Sequence, residues 1–171
     1  MAGWQAPPAF DEFVRTRHAD LLRFAHVLCG DRYLAGDLVQ DALERTGLAW
    51  RRVLRQDDPE GYVRRAILNA FLNSRRARRR EHLTDAVPEV GRADREPRDE
   101  QLWQQLAALP RQQRAVLVLR YYLDFSEAQI ADQLGCSVGT VKSQVSAALA
   151  KLRDRADLSS ALHFQDEAVK R

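Results

Sequence analysis

Apolar residues at steps of three and four recur through most of these 171 residues, and that period specifies amphipathic helices. Phe10, Phe13, Val14, Leu21, Phe24, Ala25 and Leu28 share one face of a first helix, which Gly30 stops. A second is expected over about 31–50, burying Tyr33, Leu34, Leu38, Ala42 and Leu43. Asp57-Asp58-Pro59 is a start signal, since proline fits the first turn behind an acidic cap. The third helix then runs to about Glu81, with Tyr62, Val63, Ala66, Ile67, Ala70 and Phe71 as its apolar positions. Between 82 and 98 the period fails, and Pro88, Gly91 and Pro97 stand among scattered acids as in a linker.

The period resumes near Asp99. Leu102, Trp103, Leu106 and Leu109 predict a short helix ended by Pro110, and 111–123 predicts another through Val116, Leu117, Leu119 and Leu123. Ser126 with Gln129 three residues on forms a capping box for a helix bearing Ile130, Ala131 and Leu134. Gly135-Cys136-Ser137 is a turn, and Ser137 caps a last helix over about 138–155 with Val141, Val145, Ala148 and Leu152 inward. No strand pattern competes. The expected fold is all-α: two small helical domains, 8–81 and 99–157, joined by a flexible linker at 82–98 and followed by a tail at 158–171.

Charge separates along the same boundaries. The formal total is +3. Residues 51–80 hold ten basic residues against three acids, a net +7, and residues 110–155 hold seven against four, a net +3. Residues 81–109 between them carry −4, with three basic residues and seven acids. Two basic blocks flanking an acidic one suggest two contacts with a polyanion. No apolar run approaches the roughly 20 residues of a membrane span. The first residues, with Pro7, Pro8, Asp11 and Glu12, lack the pattern of a signal peptide. Two cysteines, Cys29 and Cys136, support neither a disulfide framework nor a cysteine zinc site, and a reducing cytoplasmic setting fits. The four histidines are scattered, and neither a glycine-rich phosphate loop nor a nucleophile elbow is present. The reading is of a protein that is not an enzyme, with no catalytic residues, metal or cofactor.

Three local patterns carry binding chemistry. Ser126–Leu152 has the form of a helix-turn-helix, whose second helix would lie in the DNA major groove, the alternative being an ordinary antiparallel helix pair. Thr140, Lys142, Ser143, Gln144 and Ser146 stand near the start of that helix. Lysine reaches phosphate or guanine, glutamine pairs with adenine, and small hydroxyls permit close approach. Asp37, Gln40, Asp41 and Glu44 share a face of the second helix and would suit a basic partner, or simply water. The third helix carries Arg64, Arg65, Asn69 and Asn73 and runs into Arg75-Arg76-Ala77-Arg78-Arg79-Arg80. Amides beside guanidinium groups suit a single strand. Tyr62 and Phe71 could stack on bases, although their spacing fits the core better.

Together these strings resemble an RNA polymerase sigma factor of the extracytoplasmic-function (ECF) group, and most closely its SigE-type actinobacterial subfamily. Asp37-Leu38-Val39-Gln40-Asp41 is similar to that family's region 2 motif. Gly61-Tyr62-Val63-Arg64-Arg65 through Asn69, Asn73 and Arg76 resembles its promoter-melting helix. Leu109-Pro110 with Arg114 and Leu119-Arg120-Tyr121 resembles the start of region 4, and Ile130-Ala131 through Thr140-Val141-Lys142-Ser143 resembles its helix-turn-helix. The resemblance implies a monomer when free that binds core RNA polymerase, opens the −10 element and reads the −35 element, and that an anti-sigma factor could hold. It implies Asp37, Gln40, Asp41 and Glu44 as polymerase contacts. It implies Tyr62, Arg64, Arg65, Asn69, Asn73, Arg76, Arg79 and Arg80 at −10, and Arg114, Arg120, Thr140, Lys142, Ser143, Gln144 and Ser146 at −35. Another reading of the same helix-turn-helix is a stand-alone regulator that binds duplex DNA as a dimer, with residues 1–80 sensing a ligand or dimerising.

Overall fold

The computed structural model describes residues 6–74 and 103–169, with side chains described as far as residue 156. It divides into an N-terminal unit, Met1–Asp94, and a C-terminal unit, Arg95–Arg171. Among the described residues every regular element is helical.

The N-terminal unit contains α1 (Pro8–Cys29), α2 (Arg32–Leu48), α3 (Trp50–Leu54) and α4 (Pro59–Asn73). Local chemistry sets most of the ends. Gly30 closes α1 in the left-handed region at φ 69°, where a side chain would be strained, and its N–H reaches the His26 carbonyl. Asp31, 7% exposed, then caps α2: its Oδ1 accepts from the N–H of Tyr33 at 2.8 Å and of Leu34 at 2.9 Å. Asp58 caps α4 by accepting from the Gly61 N–H at 2.9 Å. α1, α2 and α4 pack mutually, and Leu21, Phe24, Leu28, Val39, Val63, Ile67 and Phe71 are buried where they meet. Removing each such side chain from water stabilises by about 1.5–3 kcal/mol. Trp50 opens α3 and anchors it to the start of α1, with ring centroids 5.1 Å from Phe10 and 5.3 Å from Phe13.

Three expectations change here. Tyr33 is 77% exposed; the Asp31 cap fixes the phase of α2 so that Leu34 and Ala35 turn inward instead. The second helix stops at Leu48, and Trp50 belongs to a separate turn. The third ends at Asn73, because Ser74 leaves the helical region at ψ 124°. Residues 75–81, Arg76, Arg79 and Arg80 among them, and the linker 82–98 lie outside the described residues. Phe71 is a core residue, while half-buried Tyr62 accepts from an Arg52 Nη at 3.3 Å.

The C-terminal unit contains a helical stretch at 103–107, α5 (Arg111–Leu117), a π-helical continuation (Val118–Tyr122), α6 (Glu127–Leu134) and α7 (Val138–Val169). The π segment closes with the Leu123 N–H on the Val118 carbonyl at 3.2 Å, and Asp124 at φ 55° turns the chain out of it. Both halves of the capping box form: Ser126 Oγ accepts from the Gln129 N–H at 3.2 Å, and Gln129 Oε1 accepts from the Ser126 N–H at 2.8 Å. Gly135, at φ 65°, ends α6, and Ser137 Oγ accepts from the Thr140 N–H at 3.1 Å to start α7. Leu109, Ala115, Val116, Leu119, Ile130, Val141 and Ala148 form the core. The last helix continues to Val169, well past the expected 155, so the backbone of the tail is helical to that point. No helix among the described residues is long and apolar enough to cross a membrane.

Candidate functional site

α2 divides cleanly between inside and outside. Leu38, Val39, Ala42 and Leu43 are buried, whereas Asp37, Gln40, Asp41 and Glu44 are all exposed. Gln40 Nε2 donates to Glu44 Oε1 at 3.1 Å, which orders part of this acidic face. Leu48 lies four residues beyond Glu44 and is 75% exposed. Sequence reasoning missed it, although the helical spacing from Glu44 places it on the same stripe.

On α4, Arg65, Asn69 and Asn73 are exposed at successive intervals of four, a single strip along the helix. Arg64 behaves differently. Its side chain is only 27% exposed and its Nη2 ion-pairs with Glu60, whose other oxygen lies 3.4 Å from Arg17 Nε on α1. Glu60 therefore neutralises two arginines and ties α4 to α1. The Glu60–Arg64 pair spans one turn of α4 and is local, whereas the Arg17–Glu60 pair joins two helices and could not be read from the local sequence.

In the C-terminal unit the outer face of α7 opens with small groups. Gly139, Thr140, Lys142, Ser143 and Ser146 are exposed, and Gln144 is half-buried beside the inward Val141 and Val145. The hydroxyls are ordered locally: Ser137 Oγ and Thr140 Oγ1 lie 2.9 Å apart, and Ser143 Oγ donates to the Thr140 carbonyl at 2.9 Å. Lys142 Nζ lies 3.7 Å from Glu127 Oε2, and Arg120 Nη1 donates to Glu127 Oε1 at 3.1 Å.

Arg114, which the resemblance offered to the −35 duplex, is buried in this structure. It is 6% exposed, and its Nη2 donates to the carbonyls of Ala107 at 2.7 Å and Leu109 at 3.2 Å. Its guanidinium also lies 5.8 Å from the centroid of the Trp103 ring. These contacts satisfy carbonyls that end the stretch 103–107, so the arginine is a structural staple. Arg120 is half-exposed and engaged by Glu127. Cys136 is half-buried in the turn, its N–H on the Ala131 carbonyl at 3.0 Å. Among the described residues no group of three or more His, Cys, Asp or Glu side chains could hold a metal ion.

Comparison with known proteins matches both units. Residues 13–81 match the family model of Sigma-70 region 2, and residues 99–152 match that of Sigma-70, region 4. The chain is 39% identical over 149 residues to the RNA polymerase sigma-E factor of Streptomyces coelicolor, covering 85% of this chain and 84% of that protein. It is 33% identical over 165 residues to the ECF RNA polymerase sigma factor SigE of Mycolicibacterium smegmatis, covering 87% and 62%. Among solved structures, the sigma factor RpoE in complex with the anti-sigma factor NepR, from Bartonella quintana, aligns at TM-score 0.59 and 26% identity over 86% of this chain and 96% of that one. CnrH, solved with the cytosolic domain of CnrY, shares the fold at TM-score 0.60 and 24% identity, over 88% of each chain.

Proposed function

The chain belongs to the ECF RNA polymerase sigma factors, and from that premise we propose how its surfaces divide the work of promoter-specific transcription initiation. The matches to regions 2 and 4 together set aside the stand-alone regulator.

The acidic face of α2, Asp37, Gln40, Asp41 and Glu44, is the contact for core polymerase, with Leu48 as an apolar anchor at its end. The strip Arg65, Asn69 and Asn73 meets the separated −10 strand. Arg64 and Tyr62 support its base, and Arg76, Arg79 and Arg80 follow in sequence. Guanidinium groups hold the backbone while amides read an extruded base. Binding of the melted strand supplies the free energy of opening, so neither catalysis nor a cofactor is invoked. The first turns of α7 read the −35 duplex through Thr140, Lys142, Ser143, Gln144 and Ser146. Tethering both units to one polymerase raises the effective concentration of each for its element. The protein works in the cytoplasm, where the polymerase is, and is a monomer when free. The two solved neighbours were captured with partner proteins, one of them an anti-sigma factor, and a comparable inhibitor is proposed for this chain.

The observation that carries the −35 assignment is the outer face of α7: small polar groups and one lysine, all exposed but Gln144, next to a buried Val141 and Val145. Lys142→Ala is expected to weaken transcription from promoters that depend on a −35 element by about five- to tenfold, in the range of a lost base or phosphate contact. In-vitro transcription with core enzyme on genomic fragments measures it. An effect confined to promoters without that element would show that the reading helix is misplaced.

A further inference from the structure

Glu127 stands in the first turn of α6, where the helix dipole favours an anion. Its two oxygens face different elements. Oε1 accepts from Arg120 Nη1 on the π segment at 3.1 Å, and Oε2 lies 3.7 Å from Lys142 Nζ on α7. Its side chain is 30% exposed and that of Arg120 36%, against 65% for Lys142. The acid is thus gripped at its more sheltered end and presents its other oxygen to the one cation among the α7 residues assigned to the −35 duplex.

We propose that Glu127 is a positioning residue for −35 recognition: held by Arg120, it keeps Lys142 at a defined place on the reading face of α7. This rests on the reading of Lys142 given above. The physical reason is twofold. A lysine free to rotate loses side-chain entropy when a specific contact fixes it, and a partner that orders it beforehand removes part of that loss. An unrestrained lysine also reaches any passing phosphate, which rewards every sequence equally. The Arg120–Glu127–Lys142 chain therefore favours the specific complex and disfavours the rest.

The test uses the full chain loaded on core polymerase. Two probes are compared: duplexes selected by the wild-type holoenzyme from a library randomised at −35, and the unselected library. Glu127→Gln keeps an acceptor for Arg120 but removes the charge that holds Lys142. It is expected to lower the selected-to-unselected affinity ratio by about two- to fivefold, a part of the cost of immobilising one long side chain, while thermal unfolding stays near wild type. Arg120→Gln is expected to lower the ratio in the same direction by less, and to add nothing in a Glu127→Gln background. Both effects should vanish in Lys142→Ala. A Glu127→Gln ratio equal to wild type, or one that falls equally without Lys142, overturns the proposal. Lys142→Ala binding selected duplexes as tightly as wild type would instead overturn the underlying assignment of Lys142. Should Glu127→Gln fail to fold, the Arg120→Gln and Lys142→Ala pair decides: additivity between them overturns the chain of contacts.

Discussion

The N-terminal unit carries Arg51, Arg52, Arg55 and Arg65 at its surface, whereas the C-terminal unit turns Arg111 and Arg114 into its interior. Both units count as basic blocks by sequence, yet the same residue type serves different ends. In the first, these four arginines are exposed, Arg52 with one Nη donating to the Tyr62 hydroxyl. In the second, Arg114 holds backbone carbonyls together, and the reading face is left to hydroxyls, an amide and a single lysine. Net charge by segment therefore does not say which arginines are exposed: Arg51, Arg52, Arg55 and Arg65 are, and Arg111 and Arg114 are not. A unit that reads duplex DNA with few cations depends on close approach and hydrogen bonding, and its contribution should be less sensitive to salt.

The largest effect is expected on the acidic face of α2. Asp41→Arg is expected to reduce capture of core polymerase by about tenfold or more, because charge reversal at an interface costs several kcal/mol, while circular dichroism stays unchanged. Undiminished capture would remove α2 from the interface. Next in size, Arg114→Ala should destabilise the C-terminal unit by about 1–3 kcal/mol, the penalty for leaving buried polar groups unpaired, as read by thermal unfolding. Arg65→Ala is the counterpart: stability within about 0.5 kcal/mol of wild type, but slower promoter opening. If the two arginine variants behaved alike in both assays, the contrast between the units would be lost. Gly135→Ala, where a left-handed residue acquires a side chain, is expected to cost about 1 kcal/mol in thermal unfolding, at the low end of the range for Arg114→Ala, by loosening the turn before α7.

What was legible in the sequence was local. Asp58 before Pro59, Ser126 with Gln129, and Ser137 before α7 are caps made within a few residues, and each forms as its spacing implies. Gly30 and Gly135 stop helices for an equally local reason. The acidic face of α2 followed from the helical period alone. What escaped was tertiary. Arg114 is buried with its guanidinium on the carbonyls at 107 and 109, and Glu60, which pairs with Arg64 within α4, also meets Arg17 on α1. Tyr33 escaped for an intermediate reason: it shares the period of the core, but the cap at Asp31 sets the phase of the helix that carries it.

Trp50 and Trp103 are the tryptophans among the described residues, and each lies within a different unit. Trp50 is packed against Phe10 and Phe13, and Trp103 against the guanidinium of Arg114. Their emission is thus a pair of optical reporters that the fold supplies without labelling. With Trp4 and Trp103 replaced by Phe, fluorescence follows the N-terminal unit; with Trp4 and Trp50 replaced, it follows the C-terminal one. Loss of the cation above the indole in Arg114→Ala would register directly as a spectral change in the second reporter and leave the first silent.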